Sequence, residues 1–272
     1  MPQFEMIEAR PGVRIAFEVR RPRNLRYPHP GFLWLGGFKS DMAGTKATSL
    51  RDLAWWGGRP FIRFDYSGHG ASEGRFADGT ISLWLEEAQM TLNLAEEWPM
   101  ILIGSSMGAY LALLLAKRKI SSIKGLVLVA PATDMTEALM VPQIAANEEA
   151  RTAIAKNGVW MRQSLYGDPY PITSELIEDG RKHLILPNGV DVDCPVRILH
   201  GDEDPDVPWE HGLTTYRAIR SADIQFTLIK GGDHRLSRDS DMLAIYNAAE
   251  RLAIGAAIDD APPEFGSEPS EP

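Results

Sequence analysis

The chain has 272 residues, 44% of them hydrophobic and 24% charged, which is ordinary for a globular protein. Its formal net charge of −9 argues against sequence-independent binding to nucleic acid, because that mode of binding depends on a basic surface. No apolar stretch is long enough to span a bilayer, and one cysteine, Cys194, allows neither an intrachain disulfide nor a cysteine-built metal cluster. Residues 1–8 lack the pattern of a signal or transit peptide, so we expect a cytoplasmic protein.

Strands and helices alternate in the first hundred residues. The predicted elements are, in chain order, a hairpin over 4–9 and 13–20, a strand over 31–35, a helical region over 40–56, a strand over 60–65 and a helix over 83–98. The last of these helices would carry Glu86 and Glu87 on its solvent side. This alternation predicts a parallel sheet that is covered by helices on both faces.

A serine between two glycines follows the next predicted strand, over 100–103, and precedes a helical pattern. Residues 104–108 are Gly-Ser-Ser-Met-Gly, and a serine framed in this way on a strand-to-helix turn is typical of a nucleophile elbow. The turn strains the backbone of the serine, and the flanking glycines avoid a clash. Ser106 is therefore the candidate nucleophile, the Met107 N–H is a candidate oxyanion donor, and Ser105 is a turn residue. The alternative is an ordinary Gly/Ser turn.

A strand over 125–130 comes next, and then the alternation stops. We assign 1–131 and 191–257 to one core and 132–190 to a cap inserted into it. A cap over the elbow would exclude water and shape a pocket, and its candidate substrate-binding side chains are Trp160, Met161, Tyr166 and Tyr170. These side chains could equally serve only to attach the cap to the core. The acidic tail over 258–272 lacks periodicity and is expected to be disordered.

Two polar loops follow the last predicted strands and offer partners for the serine. The strand over 194–199 leads into a loop with Asp202, Asp204 and Asp206, any of which could orient a base. The strand over 224–229 leads into a Gly-rich turn with His234, the candidate general base. The five other histidines, which we expect to be structural or surface residues, are His29, His69, His183, His200 and His211. Both loops could instead be ordinary surface turns without a catalytic role.

Several stretches together resemble the α/β-hydrolases. They are residues 37–38, 42–47, 63–68, 104–108, 158–160, 194–195, 199–201, 207–209 and 233–235. More closely, they are similar to the mitochondrial palmitoyl-protein thioesterases of mammals, which are also described as acyl-glucuronide esterases. The resemblance implies an α/β-hydrolase fold, with an eight-stranded, mostly parallel sheet, helices on both faces and a small cap insertion. The chain shows no mitochondrial presequence, so we expect a bacterial, cytoplasmic relative.

The resemblance also selects residues within the loops. In α/β-hydrolases the pattern H-G-x-x-D-x-x-V-P marks the triad acid, which implies Asp204 here, with Asp202 as the second candidate and Asp206 as a solvated turn residue. Many hydrolases carry H-G-x after the third strand. The corresponding residues here are Gly36-Gly37-Phe38, so the Phe38 N–H would be the second oxyanion donor unless this segment is only a flexible turn.

These inferences combine into one expected reaction, the hydrolysis of a carboxylic ester or thioester through an acyl-enzyme on Ser106. His234 would take the serine proton, and Asp204 would orient the imidazole. The expected substrate is a small molecule or an acyl-protein, and we expect no cofactor, no metal and no nucleic acid. Carbon–carbon bond hydrolases and amidases use the same triad, and a ligand receptor that retains the triad is a further alternative.

Overall fold

The structure is a computed structural model, and it describes residues 4–21, 30–95, 98–164 and 167–259. In chain order its strands are β1 (Glu5–Arg10), β2 (Val13–Arg20), β3 (Gly31–Leu35), β4 (Phe61–Phe64), β5 (Met100–Ser105), β6 (Ile123–Val129), β7 (Val159–Arg162), β8 (Tyr170–Thr173), β9 (Val190–Asp191), β10 (Val196–Gly201), β11 (Ile219–Arg220) and β12 (Ile224–Ile229). Its α-helices are α1 (Thr45–Trp56), α2 (Ile81–Asn93), α3 (Met107–Lys117), α4 (Val141–Ala146), α5 (Glu148–Asn157), α6 (Ser174–Gly180), α7 (Trp209–Ala218) and α8 (Asp239–Asp259).

Eight of the strands form one sheet in the order β1-β2-β4-β3-β5-β6-β10-β12. The pairs β1/β2 and β2/β4 are antiparallel, and every later pair in this sheet is parallel. The predicted α/β-hydrolase fold, with an eight-stranded and mostly parallel sheet, is therefore confirmed. None of the helices in the described part of the chain is long and apolar enough to cross a membrane.

Successive residues of the central strands face opposite sides of the sheet, as the pleat requires. Leu33 and Leu102 belong to a buried cluster that α2, α3 and the segment after β6 cover. Phe32 and Ile101, their neighbours in sequence, belong to a second cluster that α1 and α8 cover. Because both faces are buried, these strands are apolar throughout, which is typical of a parallel sheet between two helical layers.

Parallel strands end at the same edge of a sheet, and this edge gathers the loops that the sequence singled out. The loops that follow β3, β5, β10 and β12 contain, in that order, Phe38, Ser106, Asp204 and His234. The sheet therefore brings four segments that are far apart in sequence to one place.

The chain between β6 and β10 adds no strand to the main sheet in its described part. It contains a π-helical turn over Met135–Met140, helices α4 to α6, and the antiparallel pair β7/β8. Asp134 precedes the π-helical turn, and its carboxylate accepts the backbone N–H groups of Ile185 and Leu186 at 2.9 and 2.8 Å. This contact joins the start of the segment to its end. The predicted boundaries of core and cap stay a prediction.

Three expectations about local structure are corrected. Ser105 is the last residue of β5 rather than a turn residue. Glu87 is buried rather than solvated, because its carboxylate accepts the Ser67 N–H at 2.9 Å in the loop after β4. Helix α8 runs to Asp259, two residues into the predicted tail, and the rest of that tail lies outside the described residues.

Candidate active site

Ser106 lies at the sharp turn between β5 and α3, with φ of 56° and ψ of −116°. A positive φ is unfavourable for a residue with a side chain, and the close approach of neighbouring backbone maintains it here. A Cβ on Gly104 would lie 2.4 Å from the Gly108 carbonyl oxygen, and one on Gly108 would lie 2.0 Å from the Leu35 carbonyl oxygen. Both positions therefore exclude any side chain, as the elbow pattern predicts.

His234 links the serine to a carboxylate across the loops after β5, β10 and β12. Its Nε2 is 3.1 Å from Ser106 Oγ, and its Nδ1 is 2.7 Å from Asp204 Oδ2. With Nδ1–H donating to the carboxylate, Nε2 is free to accept the serine proton. The structure thus brings together the three residues that were predicted as nucleophile, base and acid.

The Asp204 side chain is fully buried, and each of its oxygens has a partner. Oδ1 accepts the backbone N–H groups of Asp206 and Val207, each at 2.9 Å. Burial alone would raise the pKa of Asp204, but hydrogen bonds from His200 and His234 and the charge of His234 outweigh it and hold this pKa well below its usual range. Asp204 is therefore an anion at neutral pH.

The other two aspartates of this loop serve elsewhere. Asp202 accepts Lys230 Nζ at 2.7 Å and the Gly231 N–H at 2.6 Å, so it ties the loop after β10 to the loop after β12. Asp206 is not the solvated turn residue that the sequence suggested. It is half-buried and lines the cavity described below, and its Oδ2 is buried without a hydrogen-bond partner among the described residues.

Two backbone N–H groups lie beside Ser106 and are available as donors. Neither Phe38 nor Met107 donates its N–H to a backbone or side-chain acceptor in the described part of the chain. The loop that carries Phe38 lies directly against the elbow, since a Cβ on Gly37 would be 3.3 Å from Ser106 Cβ. Free donors in this position are what an oxyanion hole requires.

The Phe38 ring anchors this loop in an aromatic cluster. Its centroid is 4.9 Å from that of Phe76, 5.7 Å from that of Trp84 and 5.5 Å from that of Tyr170, all in edge-to-face geometry. Tyr170 belongs to β8, so the segment after β6 contacts the loop that lies against the elbow.

A cavity of about 800 Å³ opens onto Ser106 and His234. Part of its wall is apolar, and this part consists of Ala132, Met135, Leu139, Met140, Tyr170 and Val207. Another part is charged, and it contains Lys39, Asp41, Lys46, Arg162, Asp168, Asp206 and Arg235. The cavity therefore offers both apolar and charged contacts to a bound molecule.

The predicted substrate-binding residues are only partly found in this wall. Tyr170 lines the cavity, whereas Trp160 and Met161 do not: Trp160 packs against the core from β7, and Met161 is 51% exposed. This differs from the expectation, because Arg162 is the residue of β7 that lines the cavity, and much of the apolar lining comes from the π-helical turn after β6. Tyr166 lies outside the described residues.

Lys46 is a partly buried cation of the charged wall. Its Nζ donates to the backbone carbonyl oxygen of Arg235, the residue after His234. Burial, reinforced by the charge of Arg235, lowers the pKa of Lys46 to about 8. The contact ties α1 to the loop that positions the candidate base.

Of the remaining histidines, three are engaged away from the serine. His69 is buried, which lowers its pKa to about 4; His183 bonds Ser82 Oγ at 2.7 Å; and His211 bonds the Thr133 carbonyl oxygen at 2.8 Å. His29 lies outside the described residues. His200 differs from them, because its Nε2 is 3.3 Å from Asp204 Oδ2. Sequence reasoning missed this contact.

One group of side chains could offer ligands to a metal. Among the described residues, only Asp204, Asp206 and His234 place three ligand atoms within 4.8 Å of one another. Since Asp204 and His234 are already joined by a hydrogen bond, a metal ion would have to break that pair.

Comparisons with known proteins agree with the fold. The model of the family described as serine aminopeptidase, S33 matches residues 41–175. The mitochondrial palmitoyl-protein thioesterase ABHD10 of Mus musculus is 34% identical over 222 residues, which cover 81% of this chain and 74% of that protein. A crystal structure of a putative hydrolase from Agrobacterium vitis S4 is 40% identical, with a TM-score of 0.85 over 92% of this chain and 98% of that one. The structure of ABHD10 from mouse is 29% identical, with a TM-score of 0.79 over 93% and 99% of the two chains.

Proposed function

This chain belongs to the α/β-hydrolase family of the ABHD10 palmitoyl-protein thioesterases, and on that premise we propose that Ser106, His234 and Asp204 form its catalytic triad. The chain is an enzyme of the class that hydrolyses esters and thioesters. The observation that carries the proposal is a chain of two hydrogen bonds. Ser106 Oγ is 3.1 Å from His234 Nε2, and His234 Nδ1 is 2.7 Å from Asp204 Oδ2.

In the first half of the reaction, Ser106 Oγ attacks the carbonyl carbon of the substrate while His234 Nε2 takes the serine proton. The negative charge that develops on the carbonyl oxygen is held by the N–H groups of Phe38 and Met107. His234 then gives the proton to the leaving oxygen or sulfur as its bond to carbon breaks, and an acyl-Ser106 ester remains. Asp204 keeps the imidazole in the required tautomer and stabilises its charged form.

In the second half, a water molecule replaces the leaving group. His234 takes a proton from the water as its oxygen attacks the acyl carbon, and the bond between that carbon and Ser106 Oγ then breaks. The proton returns to the serine, and a carboxylic acid leaves. The enzyme is regenerated, and the reaction consumes only the ester or thioester and one water molecule.

We propose that the acyl chain lies along the apolar wall and that the leaving group faces the charged wall. Met135 and Met140 offer unbranched, flexible side chains that adapt to alkyl groups, and Leu139 adds a branched apolar one. A cavity of about 800 Å³ has room for a drug-sized ligand, so medium or long acyl groups fit better than acetyl. Thioester hydrolysis would agree with the name of the mouse relative. The cytoplasmic location stays a prediction.

Ser106→Ala tests the nucleophile. Loss of the attacking oxygen should lower kcat on a p-nitrophenyl ester by several orders of magnitude, roughly 10⁶-fold by comparison with the loss of the nucleophile from the triad of a serine protease. The Ser106→Ala protein should also fail to react with a fluorophosphonate label. Ser105→Ala is the matched control, and it should keep both labelling and turnover. A Ser106→Ala protein that labels like the wild type would overturn the triad.

An acyl-length series tests the substrate. Each buried methylene is worth about 0.8 kcal/mol, so kcat/KM should rise about fourfold per methylene from acetyl upward until the apolar wall is full. Leu139→Ala should flatten this rise, whereas Trp160→Ala, outside the cavity, should leave it unchanged. A profile that is highest at acetyl, and that Leu139→Ala does not alter, would indicate a short-chain ester hydrolase instead.

A further inference from the structure

His200 lies on β10, and its side chain is fully buried behind the candidate acid. Its Nε2 is 2.9 Å from the Val207 carbonyl oxygen and 3.3 Å from Asp204 Oδ2. Both neighbours can only accept a hydrogen bond, the second because Asp204 is an anion. Nε2 is therefore the ring nitrogen that bears hydrogen, and its N–H is directed between a carbonyl and the carboxylate.

The other side of the ring is enclosed by α7. A Cβ on Gly212 would lie 2.3 Å from His200 Nδ1, so glycine is the residue that leaves room for the imidazole. Nδ1 is buried and has no hydrogen-bond partner among the described residues. A buried N–H without an acceptor is costly, which also assigns the hydrogen to Nε2. The Phe226 ring, 6.5 Å away and nearly parallel, closes a further side.

We propose that His200 is a positioning residue of the triad, whose Nε2–H holds the Asp204 carboxylate in the orientation that accepts His234. The inference rests on the proposed function, since it gives His200 a role in the same reaction. Asp204 Oδ2 then accepts His234 Nδ1–H at 2.7 Å and lies 3.3 Å from His200 Nε2, whose N–H it shares with the Val207 carbonyl oxygen, while backbone N–H groups hold Oδ1. The carboxylate cannot rotate without losing one of them. A hydrophobic side chain in place of His200 would remove one of the two donors from Oδ2.

The second donor also sets how strongly the acid attracts the proton on His234. A hydrogen bond from His200 disperses the charge of Asp204, and among the groups that oppose burial it contributes most to the low pKa of this carboxyl. The other titratable group that faces His200 is His211 of α7, whose pKa burial lowers and whose partner is the Thr133 carbonyl oxygen. Without His200, the carboxylate of Asp204 would be the stronger base and would hold the Nδ1–H of His234 more tightly.

The test compares His200→Leu, which removes the donor, with His200→Gln, whose side-chain amide can replace the Nε2–H. For His200→Leu we expect the acidic limb of the kcat/KM profile to move up by roughly one pH unit, since a hydrogen bond to a charged group is lost. We expect kcat at the optimum to fall about tenfold or more, with KM within about twofold of wild type. His200→Gln should recover most of kcat and return the limb toward its original position. His211→Gln is the matched control and should change neither.

Gly212→Ala provides a second route that keeps the histidine. Its new methyl group would push the ring away from α7 and disturb the contact with Asp204, so the acidic limb should again move to higher pH. Far-UV circular dichroism and fluorophosphonate labelling establish that each variant is folded. The inference is wrong if folded His200→Leu has the wild-type kcat and the wild-type acidic limb of the kcat/KM profile. It is also wrong if His200→Leu and His200→Gln lower kcat equally and neither moves that limb. Turnover by Ser106→Ala would instead refute the proposed function, so the two failures are distinguishable.

Discussion

Asp204 and Asp202 are two residues apart, yet only one of them has the surroundings that a triad acid needs. The Asp204 side chain is fully buried against His234, whereas Asp202 faces the exposed ammonium of Lys230. A buried carboxylate with several donors stays charged and holds the imidazole in one tautomer, but a surface ion pair contributes little to either. The role of the acid is therefore decided by burial and hydrogen bonding, which sequence spacing alone does not report.

Asp204→Asn should be far more damaging than Asp202→Asn. An amide in place of the carboxylate favours the wrong tautomer of His234, and the corresponding change in a serine protease triad, for which the value is known, lowers kcat by about 10⁴. Asp202→Asn should change kcat by less than about threefold, because it breaks only the contacts with Lys230 and Gly231. Steady-state kinetics on one ester at saturating concentration gives both values.

The same experiment can contradict the assignment of Asp204 as the acid. If Asp202→Asn proves to be the crippling change and Asp204→Asn is mild, the acid has been assigned to the wrong position of the loop. Asp206→Asn belongs in the same series. It should act mainly on KM, because Asp206 lines the cavity but is not bonded to His234.

At the scale of an element, the elbow depends on close contact between α3 and β3. The first turn of α3 lies so near the end of β3 that Gly108 has no room for a side chain, since a Cβ there would be 2.0 Å from the Leu35 carbonyl oxygen. The loop that carries Phe38 begins directly after β3. The fit between helix and strand therefore positions the nucleophile and its N–H donors together.

Gly108→Ala should lower the free energy of unfolding by about 1–3 kcal/mol, because the added methyl group must move a helix or a strand. It should also lower kcat, since the displaced α3 carries the Met107 N–H. Gly255→Ala in α8 is the control, because a Cβ there meets nothing within 4 Å. It should raise the free energy of unfolding by about 0.5–1 kcal/mol through helix propensity. Urea denaturation measures both, and an unchanged midpoint for Gly108→Ala would contradict the steric account.

The loops beside the elbow are held by the residues of one of the family-like stretches. Asp65, just after β4, accepts the Met42 N–H at 2.6 Å and the Ala71 N–H at 2.8 Å. Arg63 of β4 is 2% exposed and pairs with Glu18 of β2 at 2.6 Å. These contacts therefore hold the segments 42–47 and 63–68 beside the elbow.

For the molecule as a whole, the sequence predicted what depends on local pattern. Apolar runs indicated the central strands, and the glycines around Ser106 indicated the elbow, because both signals are complete within a few residues. The resemblance selected Asp204 from its loop, and the placement of Ser106, Asp204 and His234 at one edge agrees with the rule that parallel strands end together. These expectations about geometry agree with the structure.

What the sequence did not predict depends on contacts between distant segments. Glu87 looked solvated until the loop after β4 placed the Ser67 N–H on it, and His200 looked structural until α7 enclosed it behind Asp204. The cavity wall was assigned to Trp160 on its aromatic character alone, whereas Leu139, which does line the cavity, lies in a π-helical turn. A π-helical turn has no clear sequence signal.

The relation between cap and core leads to a prediction about unfolding. One buried cluster contains Leu102 and Leu128 of the sheet together with Met140, Ile172 and Ile185 of the segment after β6. A segment that shares its core with the sheet cannot lose its structure without exposing apolar surface of both. We therefore expect the predicted cap to unfold together with the sheet rather than before it.

Two fluorescent labels can measure this in a Cys194→Ser background, where the native thiol is removed. Met161→Cys places a label on β7 of the cap, and Leu228→Cys places one on β12 of the sheet, at positions that are 51% and 43% exposed. Urea unfolding of the two labelled proteins should give the same midpoint as far-UV circular dichroism, as a cooperative transition requires. A midpoint at Met161→Cys that precedes the one at Leu228→Cys would mean that the cap is a separately stable unit. The shared cluster would then contribute less to holding the cap than its burial indicates.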